Sequence, residues 1–317
     1  MIGVSRLARI GLTSRDPDAL ARFYEEIGFV RVRESVLEGE AFGRLVGIPG
    51  ASAHVTTLRL GREVLDLVGF RPQGRPYPAG VAGWNPLFQH FAIVVSDISA
   101  AFARLSVVAG WAPISAGGPV HLPARSGGVF AYKFRDPEGH PLELLAFAGS
   151  NVPEVWRRPA GQGVFLGIDH SAISVADTAR SEAFYHRLGL RTGARSLNVG
   201  PEQARLDAVP EPVVEVTALE PPRSATPHVE LLCYRGDFDR PIAASRSNDI
   251  ASTRLVFAVD DDRGFAELCD QLQDSTAAPE SVRVTGACAA LRDPDGHEVW
   301  LTRAGAEGGS ADLGKRA

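Results

Sequence analysis

The chain has 317 residues, a formal net charge of -5, 44% hydrophobic and 22% charged residues, the profile of a globular protein long enough for two domains. The absence of a basic block argues against a nucleic-acid partner. No run of about 18 apolar residues occurs, and the opening MIGVSRLARIGL lacks the apolar stretch of a signal peptide, so no membrane association and a cytoplasmic location are expected. Cys233, Cys269 and Cys288 are odd in number and lack metal-type or redox-type spacing, so they read as reduced thiols.

In chain order, ARIGLTSRD (8–16) reads as a strand that ends in the helix cap Asp16-Pro17. A helix with Phe and Tyr at helical spacing, ALARFYEEIGF (19–29), follows, and the unit closes on REVLDLVGF (62–70). QHFAIVVSD (89–97) opens a second unit. Its period-2 alternation puts Phe91, Ile93 and Val95 on one face, toward a helix, and His90, Ala92 and Val94 on the other. That unit ends in the hairpin FRDPEGHPLELLAF (134–147), where D-P-x-G is turn chemistry between apolar runs. SNVPEVWRRPAGQG (150–163) then separates the two halves. A third unit runs from DHSAISVAD (169–177) through RSEAFYHRLGL (180–190) to PHVELLCYR (227–235), and a fourth from TRLVFAVDD (253–261) to LRDPDGHEVWLTR (291–303). The final AGAEGGSADLGKRA (304–317) reads as a polar tail. Each unit is thus strand, helix, three strands, and the expected organisation is a first domain over 1–150, a linker over 151–163, a second domain over 164–304 and a tail over 305–317.

Four βαβββ units with D-P-x-G-H hairpins, and a His on the first strand matched by a Glu on the last, closely resemble the vicinal oxygen chelate superfamily. That superfamily includes glyoxalase I, methylmalonyl-CoA epimerase, extradiol ring-cleaving dioxygenases and the fosfomycin and bleomycin resistance proteins. The resemblance covers roughly residues 5 to 303. It implies an α+β fold with two cup-shaped mixed sheets and helices outside. It also implies one divalent metal ion, Zn, Mn, Fe, Co or Ni, held in a cup by residues of the first and last strands of two units.

At those two strand positions the first unit has Arg9 and Asp66, the second His90 and Glu143, the third His170 and Glu230, and the fourth Arg254 and Trp300. Pairing units one with two and three with four would aim an arginine at each metal, which is electrostatically unfavourable. Pairing two with three collects His90, Glu143, His170 and Glu230 in one cup and leaves a pseudo-site, in which Asp66 can pair with an arginine and Trp300 can lie on Arg254. A lone buried His is usually a core residue; two at equivalent positions, each matched to a Glu that needs a cation, favour a metal. His140 and His297 follow D-P-x-G and read as turn residues.

If the turn at Asp136–Gly139 pairs Arg135 with His140, counting sets Tyr132 across from Glu143, facing the cup, and Ala289 across from Trp300. His228 shares a face with Glu230, two residues away, and is placed to donate a hydrogen bond or act as acid or base. The segment LNVGPEQARLD (197–207) is left open between a substrate loop and a polar turn. The four-ligand set leads to an expectation of isomerase, epimerase or lyase chemistry by proton abstraction beside a carbonyl of a small substrate with vicinal oxygens, with Glu143, Glu230, His228 and Tyr132 as candidate catalytic groups. The alternatives are an Fe(II) extradiol dioxygenase on a 2-His-1-carboxylate set and a non-catalytic drug or metabolite binder. One chain can build both cups, so a monomer or a homodimer is expected.

Overall fold

The computed structural model describes residues 3–149, 152–157, 163–238, 245–273 and 282–303. The polar tail and residues 151 and 158–162 of the linker read from the sequence lie outside the described residues. The first unit comprises β1 (Arg6–Thr13), α1 (Pro17–Glu26), β2 (Val30–Leu37), α2 (Glu40–Val46), β3 (Ser52–Leu60) and β4 (Glu63–Arg71). The second comprises β5 (Gln89–Val95), α3 (Ile98–Ser106), the short β6 (Ala112–Pro113) and β7 (Val120–His121), then β8 (Phe130–Arg135) and β9 (Pro141–Ala146). The third runs through β10 (Phe165–Ser174), α4 (Thr178–Arg187), β11 (Arg191–Val199), α5 (Pro201–Asp207), β12 (Val213–Glu220) and β13 (His228–Tyr234). The fourth holds β14 (Arg254–Val259), α6 (Asp262–Gln273), β15 (Arg283–Thr285), β16 (Cys288–Arg292) and β17 (Glu298–Arg303). Asp16, Asp97 and Asp177 cap α1, α3 and α4 with side-chain oxygens that accept from first-turn N–H groups.

In each unit the first strand runs parallel to the last. First strands then pair antiparallel across units, β5 with β10 and β1 with β14. Units two and three therefore share a nine-stranded sheet, and units one and four share an eight-stranded sheet.

The apolar cores follow a different pairing. Phe91, Ile93 and Val95 join Ile10, Leu12, Leu20, Phe23 and Leu144 in one cluster drawn mainly from units one and two. Leu255, Phe257, Phe184, Leu188 and Leu268 form another drawn mainly from units three and four. Helices thus cover the sheet faces opposite the cups, and each core spans two sheets.

A repeated polar latch ties each half together. In the first half, Tyr24 of α1 donates to Asp136 Oδ2 at 3.0 Å, His140 Nδ1 meets the same oxygen at 2.7 Å, and His140 Nε2 faces the carbonyls of Thr13 and Ile250 at 3.0 and 3.1 Å. In the second half, Tyr185 donates to Asp293 Oδ2 at 3.1 Å and His297 Nε2 meets the Ser174 carbonyl at 2.9 Å. This explains why the Phe-Tyr helices belong to units one and three and the D-P-x-G-H hairpins to units two and four: each half needs one of each.

Both nitrogens of His140 face acceptors, so both must carry protons and the ring is an imidazolium. Burial opposes that charge, but the Asp136 carboxylate outweighs it and raises the His140 pKa. Because the folded pKa is raised, the stabilisation is full below the unfolded pKa, near 6.5, and is lost as pH rises through the folded value. We expect His140→Ala to cost about 2–4 kcal/mol at pH 6 and less at high pH, read from urea unfolding across a pH series; a cost that grows with pH would contradict the imidazolium assignment.

Candidate metal centre between the second and third units

The register of β5 against β10 sets Ala92 opposite His170 and His90 opposite Ala172. The two histidines are therefore diagonal neighbours on one face, with ring centroids 5.8 Å apart. β9 brings Glu143 level with Ala92, and β13 brings Glu230 level with Ala172. All four side chains line a cavity of about 390 Å³.

One ligand atom each from His90, Glu143 and His170 falls within 4.8 Å of the others. His90 Nε2 lies 2.9 Å from Glu143 Oε2, yet among the described residues neither nitrogen of this 2% exposed residue meets a partner in well-aligned hydrogen-bond geometry. A buried imidazole so placed beside a carboxylate has the environment of a metal ligand. Glu230 stands outside that triangle, its Oε2 3.5 Å from His170 Nε2 and its Oε1 3.6 Å from His228 Nε2.

A bulge in β10 between Ile168 and His170 turns Asp169 toward the cavity beside His170. Asp169 Oδ2 lies 3.1 Å from His170 Nδ1, while Trp156 Nε1 donates to Asp169 Oδ1 at 2.8 Å. This chain fixes the tautomer and orientation of His170 and leaves Nε2 for the site.

Burial works against charge on His170, but Glu230 and Asp169 hold its pKa up at about 9. Burial likewise works against ionisation of Glu230, and His170 and His228 bring it down to about 2. For His90 burial prevails and the pKa falls. Burial would raise Glu143, but His90 and Lys133 draw it down. The cluster is built around positive charge: a proton on His170, or a metal ion in its place.

The structure places Tyr132 differently from the hairpin count. Tyr132 pairs with Leu144 and is buried in the first apolar core, while Lys133 pairs with Glu143 and lines the cup. Asp136 N–H donates to the His140 carbonyl at 3.0 Å, so the loop is the three residues Pro137 to Gly139, with Gly139 at φ +100°, and the register moves by one. The same loop at Asp293 and His297 sets Ala290, not Ala289, across from Trp300.

Lys133, Asp207 and Tyr234 were not singled out from the sequence. Lys133 Nζ donates to Asp207 Oδ1 at 2.7 Å, and Asp207 Oδ2 accepts from Tyr234 at 2.8 Å and Gln203 at 2.6 Å. A signal was present, since Lys133 and Lys315 are the only lysines and a lysine inside an apolar strand needs a buried partner. Asn198 and Gln203, from the segment left open above, also line the cavity.

In the other sheet Arg9 pairs with Asp66 at 3.5 Å, and the Arg254 guanidinium lies 5.6 Å from the Trp300 ring centroid. Both contacts expected of the pseudo-site are present.

A family profile described as the Glyoxalase/Bleomycin resistance protein/Dioxygenase superfamily matches residues 6–144 and 167–301. Glyoxalase I from Zea mays superposes with a TM-score of 0.58 at 18% identity, covering 98% of this chain and 94% of that one. A Zea mays glyoxalase I variant reaches 0.61 at 16% identity, covering 98% and 94%. A Bacillus subtilis protein provisionally named a dioxygenase reaches 0.58 at 10% identity, covering 96% and 86%. At these identities the structural likeness speaks for the fold alone. No curated relative matches the chain.

The Lys133 network yields a stability test. Lys133→Met should cost roughly 3–5 kcal/mol in urea unfolding by leaving Asp207 buried without its cation. Tyr132→Phe, altering a residue of the opposite face, should leave metal uptake at the wild-type level; loss of metal in Tyr132→Phe would return that residue to the cup.

Proposed function

Because the chain belongs to the glyoxalase, bleomycin resistance protein and dioxygenase superfamily, we propose that its histidine cup holds one divalent metal ion on His90, Glu143 and His170, with Glu230 within reach. The reaction is isomerisation, epimerisation or lyase chemistry on a small substrate with vicinal oxygens. The observation that carries this reading is the convergence of buried His90, Glu143 and His170, with one ligand atom of each within 4.8 Å of the others. When bound, a divalent ion supplies Lewis-acid polarisation of a substrate carbonyl.

The protein's own groups divide the remaining work. His90, Glu143 and His170 hold the ion, and Asp169 orients His170. Glu230, part-exposed to the cavity and outside the tight triangle, takes the proton from the carbon next to the carbonyl and, in an isomerisation, returns it to the former carbonyl carbon. His228, 3.6 Å from Glu230 Oε1, steadies that carboxylate through the transfer. Lys133 lowers the pKa of Glu143 and keeps it ionised as a ligand.

One observation favours a second reading. The convergent triangle of His90, Glu143 and His170 is a 2-His-1-carboxylate set, which suits an Fe(II) dioxygenase with Glu230 as an outer group.

Elemental analysis of chelator-free protein should find one metal per chain, lost in both His90→Ala and His170→Ala. With small 2-oxoaldehydes and α-hydroxyketones in D₂O, NMR should show metal-dependent exchange of the carbon-bound hydrogen without oxygen uptake. Glu230→Gln should slow that exchange by about 10²–10⁴-fold while keeping the metal. Absence of metal after supplementation would overturn the reading; oxygen uptake with a catechol and Fe(II) would establish the second.

A further inference from the structure

The sheet shared by units one and four carries a second cup, a cavity of about 70 Å³ lined by three guanidinium groups, Arg9, Arg33 and Arg254, and by one carboxylate, Asp66. Asp66 is already engaged, its Oδ1 accepting from Thr57 at 2.7 Å and its Oδ2 lying 3.5 Å from Arg9. Glu298, behind this wall, is committed as well. It accepts from Ser252 and Trp300 at 2.7 and 2.8 Å and lies 3.6 Å from Arg292 and 3.8 Å from Arg254 Nε, so two carboxylates face the four guanidinium groups of Arg9, Arg33, Arg254 and Arg292.

Arg254 is 2% exposed and donates through Nη2 to Thr13 and to the Ser247 carbonyl, yet among the described residues its Nη1 has no hydrogen-bond partner, its Nε only faces Glu298 at 3.8 Å, and Arg33 Nε has no hydrogen-bond partner. Its guanidinium is held between the rings of Phe70 and Trp300, at 5.0 and 5.6 Å from their centroids. Those ring faces ease the burial of a cation but satisfy none of its N–H groups. Buried donors and an excess of positive charge call for an acceptor that brings negative charge. Most of the rest of the wall, including Leu37, Val55, Val68 and Val256, is apolar, with Ser35 and Thr302 as its uncharged polar members, so the acceptor must carry a hydrocarbon body of few atoms.

We propose that the arginine cup is a binding site for a small aliphatic monocarboxylate, with its carboxylate at Arg254 and Arg33 and its hydrocarbon body against the valines and Trp300. It is independent of the metal in the first cup.

The test is calorimetric titration of the full chain with propionate and isobutyrate, with isobutyramide as the neutral isostere and inorganic phosphate and chloride as the competing anions. Saturable binding of a carboxylate at one per chain, absent with isobutyramide, at least roughly tenfold weaker in Arg33→Gln and unchanged in His90→Ala, is the expected result. Arg254→Gln should abolish binding. If that variant does not fold, Arg33→Gln decides the matter alone, because Arg33 is only half-buried. No saturable carboxylate binding overturns the proposal, as does phosphate or chloride binding as tightly as the carboxylates. Binding lost in His90→Ala but kept in Arg33→Gln would move the carboxylate to the histidine cup and overturn it equally. Metal content is read separately, so failure here leaves the metal reading of the first cup intact.

Discussion

The antiparallel pairing of first strands is the constraint on which both cups depend. Within a unit, a first strand reaches only the residues of its own last strand. When β5 lies against β10, two such sets become diagonal neighbours, and four side chains from strands far apart in sequence converge. The pairing of β1 with β14 repeats the geometry, so the same four positions are brought together twice. The chemistry of each cup is then set by which residues occupy those positions.

In the histidine cup, Glu143, Glu230 and Asp169 stand directly against the two imidazoles, and the interior attracts positive charge. In the arginine cup, the guanidinium groups of Arg9, Arg33, Arg254 and Arg292 outnumber the carboxylates Asp66 and Glu298, and the interior attracts negative charge. Neither arrangement is a stability device in itself, because desolvation consumes much of what buried ionic contacts return. Charge is retained in both places at a cost that an apolar filling would avoid. That cost is the physical reason to look for a ligand in each cup.

Much of this was legible in the sequence. The four-fold repeat, the alternation that sets Phe91 and Ile93 against His90 and Ala92, and the pairing of units two with three followed from eight residues and the repulsion between an arginine and a metal. Tyr132 was misplaced because the hairpin was counted as a four-residue turn, and a one-residue slip exchanges the two faces of a strand. The loop is one residue shorter, closed by Asp136 and His140, and the cup-facing residue is Lys133. Asp169 could not be placed by counting, since the bulge that turns it toward the cavity has no marker in DHSAISVAD. Asp207 reaches Lys133 only through a helix of another unit, and no local pattern joins residues 74 positions apart.

The latches and cores couple the two cups. Each cup takes its strands from two sequence halves, but each core is drawn mainly from one half, and so is the Tyr–Asp–His group of each latch, with His140 also reaching the Ile250 carbonyl of the other half. A half alone would hold its core together and yet possess only half of each cup, with buried His90 or Arg254 facing no counterpart. Assembly of the sites therefore requires both halves to dock, and docking places the two sheets with their core-facing sides toward a common apolar layer. A change of packing in that layer, for example at Ile93 or Phe257, acts on the strand that carries His90 or on the strand that carries Arg254. The cups are chemically separate but mechanically joined through the cores beneath them.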